Sequence, residues 1–493
     1  MGRITHMGGW LSVALALQGY SALALAQAPA DQIARLGKDL TCVGAEKAGN
    51  AAGTIPAFGG QWLGAAPGMK FEGTGKHPID PYPNEKPLFV ITAQNLSQYD
   101  GHLSEGQKAL FKLYPQTFRM PVYPSHRDFR FSDTVCKATL ENASVAKLVD
   151  DGEGVVARTG GVAFPIPQNG IELLKNASLF TVRAWTEEYT SDNAYVLKDG
   201  NINWGRVHSR NMAPGLEPGK IGDTAGNSSF YLNETLLPQR DKGEINTGTE
   251  YWNDKTEPRQ SWRYDPGTRR VRQSPGYGFD MAFPGSGGSI TVDEVRIFNG
   301  SAQRYNWNIV GKKELYIPYN TARLHANDLK YASMLTPGHI NPDDMRYELH
   351  RVWVLEGVLK PGNRHLYGKR TLYIDEDSWF PIMGDNYDNR GELWRTSMVN
   401  YFYAPETQTW QAGVGLYHDL NAGSYLAFNL INEQRNGYVL NKGGFAAGDF
   451  GPEAARRAGN HAVGFFQHAH NQLIFIFALL GDNRCGRRRF RFR

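Results

Sequence analysis

Three arginines, Arg269, Arg270 and Arg272, follow the tight turn Asp265-Pro266-Gly267 in the stretch "YDPGTRRVRQSPGYGFD". Guanidinium groups grip phosphates and carboxylates through paired hydrogen bonds, so this ribbon could form a basic rim that meets an anionic head group or an acidic partner. The plainer reading is the solvated charge of a hairpin. On a strand, Arg270 and Arg272 share one face and Arg269 takes the other. Other spacings that could do chemistry carry less. "GEGVVA" (152–157) fits a loose dinucleotide pattern without a clear strand before it or an acidic residue at the usual distance after it. His468 and His470 in "QHAH" have only a weak metal-ligand spacing. "DEDSW" (375–379) and "DNYDNRGE" (385–392) hold carboxylates that attract calcium, but in the order of hairpin turns rather than of a calcium loop. Glu187 and Glu188 are adjacent, and adjacent strand residues point to opposite faces, so they make no general acid–base pair. The sequence has no G-x-S-x-G, H-E-x-x-H, P-loop or C-x-x-C pattern. It therefore assigns no catalytic side chain, no metal ligand and no cofactor.

The positive signal is aromatic. Trp262, Tyr264, Tyr277, Phe279 and Phe283 surround the arginines, and Trp307, Tyr316, Trp353 and Trp394 follow. Any one of them reads as ordinary core. As a set, Trp262, Tyr264, Phe279, Phe283, Trp307, Tyr316, Trp353 and Trp394 are candidates to line a hydrophobic-ligand cavity. A large curved sheet has a concave face that must be filled, either by its own helices or by an apolar guest.

The elements that must hold these residues are mostly strands. The chain has 493 residues, 41% of them hydrophobic and 12% aromatic, with 55 glycines and 26 prolines. That mix builds a core and favours strands and turns over helices. Helices are expected early: within "APADQIARLGKDL" (28–40), opened by Pro29; at 104–114, capped by Ser104; in "SDTVCKATLENASVAKLV", with Cys136 in its first turns; and in "FPIPQNGIELLKN" (164–176), capped near Gln168 or Asn169. From about Leu179 to Leu430 short strands and brief turns alternate, most clearly from "MRYELHRVWVLEGVLK" to "SYLAFNLINEQ". Such a series predicts an antiparallel meander whose edges must be closed or covered.

The formal net charge of +4 is misleading. Arg484, Arg487, Arg488, Arg489, Arg491 and Arg493 crowd the last ten residues and Arg3 lies near the start. Without them the body is mildly acidic, which gives no reason to expect a nucleic-acid partner. Residues 1–26 read as a cleaved signal peptide: a weakly basic start, an apolar run and Ala24-Leu25-Ala26 before Gln27. In the oxidising compartment this implies, Cys42 and Cys136 are expected to pair, two buried thiols being the alternative. Residues 460–493 change composition abruptly and read as a disordered basic tail.

"SWRYDPGTRRVRQSP" followed by "GSGGSITVDEV" (Gly285, Ser286, Ser289 and Asp293 among its residues) resembles outer-membrane lipoprotein-sorting proteins of the LolA type. "FNGSAQRYNWNIVGKKELYIPYNTARL", "RYELHRVWVLEGVLKPGNRH", "YIDEDSWFPIMGDNYDNRGELWR", "GAEKAGNAAGTIPAF" and "FPIPQNGIELLKN" are similar to an uncharacterised LolA-like family of exported Gram-negative proteins of comparable length. The resemblance spans roughly Leu36 to Gly459. It implies an α+β, β-dominated fold: a large curved antiparallel sheet, the half-barrel, with helices packed in or across its concave face. Residues 27–459 would form a single such domain with an N-terminal helical and loop-rich elaboration. It also implies a periplasmic, non-catalytic binding or carrier protein for a lipid or other hydrophobic molecule, attached to the outer membrane or free of it. An RND-type transporter or an outer-membrane component is the expected partner. The competing readings are an exported hydrolase acting on an envelope component and a structural adaptor of an envelope transporter.

Overall fold

A computed structural model describes residues 28–179, 182–274, 278–284 and 286–459. The expected signal peptide and basic tail, with Tyr277 and Gly285, lie outside them. Helices come early, as α1 (Ala30–Ile33), α2 (Glu105–Leu113), α3 (Asp133–Val145), α4 (Gly170–Leu179) and the single turn α5 (Tyr331–Met334). Their starts follow side-chain chemistry. Ser104 and Gln107 form a capping box at α2, Ser132 accepts from Val135 at α3, and Asn169 accepts from the amides of Ile171 and Glu172 at α4. In the first stretch a short helix, one turn long, forms directly after Pro29.

The strands are β1 (Phe89–Ile91), β2 (Met120–Val122), β3 (Lys147–Val149), β4 (Gly154–Val156), β5 (Thr186–Val196), β6 (Ile202–Met212), β7 (Asn227–Leu237), β8 (Ile245–Tyr251) and β9 (Gln260–Asp265). There follow β10 (Arg270–Gln273), β11 (Tyr305–Pro318), β12 (Tyr347–Leu359), β13 (Lys369–Asp375), β14 (Pro381–Tyr387), β15 (Leu393–Ala404), β16 (Thr409–Asp419), β17 (Ser424–Leu430) and β18 (Val439–Leu440). β3 and β4 make a separate ribbon; the others form one 16-stranded sheet. Its path runs β12 to β17 in sequence order, then β5 to β10, with β11 flanking β12 and β18 continuing the pairing of β5 beyond the end of β17. The sheet is mixed rather than purely antiparallel, because Tyr347 of β12 meets Val122 of β2 in parallel. It is open: among the described residues β10 pairs only with β9.

The sheet curls strongly, and β11 touches β14 and β15 although two or three strands separate them in the order. Bulges between Ile309 and Gly311, Val399 and Tyr401, and Arg206 and Val207 supply local bends, since an extra residue on one strand sharpens its twist. The two faces of the central strands are covered differently. On β14, Asp385 accepts from the amide of Gly106 in α2, while its neighbour Asn386 donates to Glu294. Consecutive strand residues point opposite ways, so α2 and the segment carrying Glu294 lie on opposite faces. The Glu294 side is covered by α4, which packs on β11 and β12, and by an irregular strap, residues 278–284 and 286–304.

A disulfide joins Cys42, in the loop-rich start, to Cys136 in α3, across 94 positions of chain. Closing so long a loop lowers the entropy of the unfolded chain. The double variant Cys42→Ser, Cys136→Ser is expected to lose about 2–4 kcal/mol of stability in urea unfolding. An unchanged midpoint would show that the cross-link does not hold these parts together.

Candidate functional site

Between the strap and strands β5 to β8 lies a cavity of about 480 Å³. That is within the usual size of small-molecule sites. Its sheet wall follows from strand alternation. Tyr189, Ser191 and Asn193 of β5, Val207, Ser209 and Asn211 of β6, and Ser229, Tyr231, Asn233 and Thr235 of β7 occupy alternate positions and all line it. The pairing aligns them in rows: Tyr189 with Ser209, Ser209 with Asn233, Asn233 with Asn246. The strap contributes Phe279, Phe283, Val292 and Val295, and α4 contributes Lys175 and Ser178.

The expected sites are placed differently. Of the eight aromatic candidates, only Phe279 and Phe283 line this cavity. Trp262 and Tyr264 pair with Thr247 and Ile245, whose intervening neighbour Asn246 faces the cavity, so both point to the opposite face. There Tyr264 is fully buried with Phe450, Ala454 and Ala455. Trp307 fills core beside Phe298 and Tyr305, and an added Cβ at Gly357 would strike its ring. Tyr316 packs with Phe89 and Tyr99. Trp353 stacks on Trp379 beneath the ammonium of Lys312. Trp394 donates to Asp419. None of these six lines the hollow: Tyr264, Trp307 and Tyr316 are buried in packed core, and Trp262, Trp353 and Trp394 are half-buried elsewhere on the sheet.

Nor do the three arginines rim the hollow. Arg270 and Arg272 are exposed on the terminal strand β10, and Arg269 sits at φ +54° in the turn rather than on the other strand face. Charged residues on an edge strand discourage other chains from pairing with it. The cationic groups at the cavity are Lys175, Arg183, Arg259 and Arg296, none of which sequence reasoning picked out. Arg183 and Arg296 flank Glu187 at 3.6 and 3.5 Å, and Arg259 meets Glu250 at 3.0 Å. Burial lowers the pKa of Arg183, and that of Lys175, whose ammonium donates to the carbonyl of Glu153 at 2.9 Å. Burial lifts Asp254 to about 6. Glu188, as alternation requires, turns the other way, toward Arg210 and His208. The legible signal was the run of small polar residues at alternate positions in "YTSDNAYV" and "RVHSRNM".

The strap is fixed by two adjacent acids. Asp293 is 1% exposed and accepts from Arg370 at 2.8 Å and Thr291 at 2.7 Å, with His365 at 3.1 Å. Glu294 accepts from Tyr367, Asn386 and Ser397 at 2.7, 3.0 and 3.2 Å. Among the described residues two nitrogens of Arg370 have no hydrogen-bond partner, but the guanidinium lies within 5.4 Å of the ring centres of Phe298, Tyr305 and Tyr367, whose π faces stabilise it. Ser286 and Ser289 of the motif "GSGGSITVDEV" shape the strap locally, bonding the carbonyls of Phe283 and Ser286.

Among the described residues, His350, Asp375 and Asp377 come close enough together to hold a cation. Their carboxylates are engaged: Asp377 takes both Nε and Nη2 of Arg127 at 2.7 Å, and Asp375 accepts from Ser378 and Tyr319. Asp388, in the other acidic stretch, accepts from Arg390 and the amide of Glu392 within a hairpin turn.

An open β-dominated sheet closed over by a strap defines this chain as an α+β protein built around an internal cavity. It belongs to the family described as "Protein of unknown function (DUF1329)", whose model matches residues 90–456. An uncharacterised protein of Pseudomonas aeruginosa is 38% identical over 451 residues, 90% of this chain and 97% of its own. A solved DUF1329 family protein from Desulfovibrio piger is 12% identical, covers 55% of this chain and 92% of its own, and superposes with a TM-score of 0.38. A LolA superfamily protein from Nitrosomonas europaea is 11% identical, covers 58% and 99%, and gives 0.33.

Burial alone would raise the pKa of Asp293, but Arg370 and His365 outweigh it and hold the carboxyl well below the usual range. A depressed folded pKa stabilises the protein above the unfolded value and ceases to do so as pH falls through the folded one. Asp293→Asn is therefore expected to cost about 3–5 kcal/mol at pH 7, with the deficit shrinking below about pH 4. Equal deficits at pH 7 and pH 3 would show that folding does not depress the pKa of Asp293, and a deficit that grows toward pH 3 would show that its carboxyl is neutral in the fold.

Proposed function

We propose that this protein binds and carries a lipid-like amphiphile in the cell envelope, holding it between the strap and strands β5 to β8. The observation that carries this reading is the cavity itself. It is bounded by the strap rings Phe279 and Phe283 on one side and by a hydroxyl- and amide-bearing sheet wall on the other. A molecule with an apolar part and a polar part is complementary to both. Exposing an acyl chain to water costs about 0.8 kcal/mol per methylene, so a carrier crossing an aqueous compartment must enclose it. The signal-like sequence of residues 1–26 and the disulfide favour the periplasm as that compartment. No helix among the described residues is long and apolar enough to cross a membrane. As partner, the reading retains the RND-type transporter or outer-membrane component implied by the LolA-like resemblance. Residues 27–459 are read as one functional unit.

Native mass spectrometry of the mature protein, followed by extraction of apolar compounds, is expected to find a bound amphiphile. Asn233→Trp, which projects a large ring from the cavity wall, should abolish that signal while moving the thermal midpoint by less than about 3 °C. Retention of the guest in the variant, or a wild-type protein that takes up no amphiphile, would remove the basis for the carrier role.

A further inference from the structure

Building on the carrier reading, we infer that the cavity selects an amphiphile whose polar end is uncharged and hydroxyl- or amide-bearing, as in a glycoside or polyol lipid. The charged groups at the cavity come already matched. Glu187 lies between Arg183 and Arg296, and Glu250 pairs with Arg259. Lys175 is held beside Glu153 and Asp254. Four cations thus face four carboxylates, so the cavity carries no net excess of either sign and an incoming ion would lose its hydration without a surplus of opposite charge to meet.

What the wall offers instead is neutral. Ser209, Asn233 and Asn246 form one cross-strand row, and Ser191 and Thr235 flank Val207 in the next. Among the described residues, two buried wall atoms find no partner: Oε1 of Glu153, an acceptor, and Nε of Arg183, a donor. Glu153 is 4% exposed, and its other carboxylate oxygen accepts from Ser301 at 2.7 Å. A hydroxyl both donates and accepts, so a polyhydroxyl group can satisfy both orphans; an ammonium can serve only the first and a sulfate only the second. Phe279 and Phe283 leave the strap side to the apolar tail.

Calorimetric titration of the mature protein with three tail-matched probes, each below its micellar concentration, tests this: decyl glucoside, decyl sulfate and decylammonium. The glucoside is expected to bind at least about tenfold tighter than either ion, with an affinity unchanged by about 0.5 M salt. Tighter binding of an ionic probe, or a glucoside affinity that falls steeply with salt, overturns the head-group assignment and leaves the carrier role standing. Failure of all three to bind overturns both. Asn233→Leu should weaken the glucoside roughly fivefold, leave the two ions unaffected and leave the thermal midpoint in place. An equal loss for all three probes counts against the assignment.

Discussion

The pairing of Asp293 and Glu294 with the buried face of β13 to β15 is the constraint on which the remaining architecture rests. The strap that carries these acids has little regular structure and cannot satisfy its own backbone by a ladder. It is held to the sheet by carboxylates that reach Arg370, His365, Tyr367, Asn386 and Ser397 from above. The fit is close, for a Cβ on Gly384 would come within 2.7 Å of Ile297. With the strap anchored over β13 to β16, its outer part, around Phe279 and Phe283, is left to roof β5 to β8 without filling them.

This division explains why one sheet can be both solid and hollow. Over the central strands, the strap and α4 on one face and the N-terminal segment with α2 on the other leave rings and aliphatic chains packed between layers. Over β5 to β8 the inward positions are mostly serine, asparagine and threonine, with Tyr189, Val207 and Tyr231 among them; the small side chains are too short to fill the space and polar enough to tolerate a guest or water. Small polar side chains at alternate positions of long strands are thus what preserves the cavity. The arginine–glutamate pairs around it keep its charge balanced while the side chains are largely withdrawn from solvent.

Sequence patterning read the elements well. Capping residues marked α2 and α4, and the alternation with brief turns marked β12 to β17, because both signals are local and depend on hydrogen bonds within a few residues. The parallel contact of β2 with β12 escaped notice, since three-residue strands carry almost no periodicity. The aromatic candidates were legible as important but not as to face. Trp262 and Tyr264 alternate correctly along β9, yet which side of the sheet is hollow depends on where residues 445–459 dock, and they cover Tyr264.

The amino-acid sequence by itself determined the β-dominated class, the capped helices, the cysteine pair available for cross-linking and the family to which the chain belongs. Those follow from periodicity, from capping chemistry and from motif content. Only the tertiary structure decided which cations meet the cavity and which merely guard an edge. Arg183, Arg259 and Arg296 come from three separate stretches of chain, and what brings them together is the curl of the sheet and the path of the strap over it. Both are products of long-range packing, which no local spacing encodes.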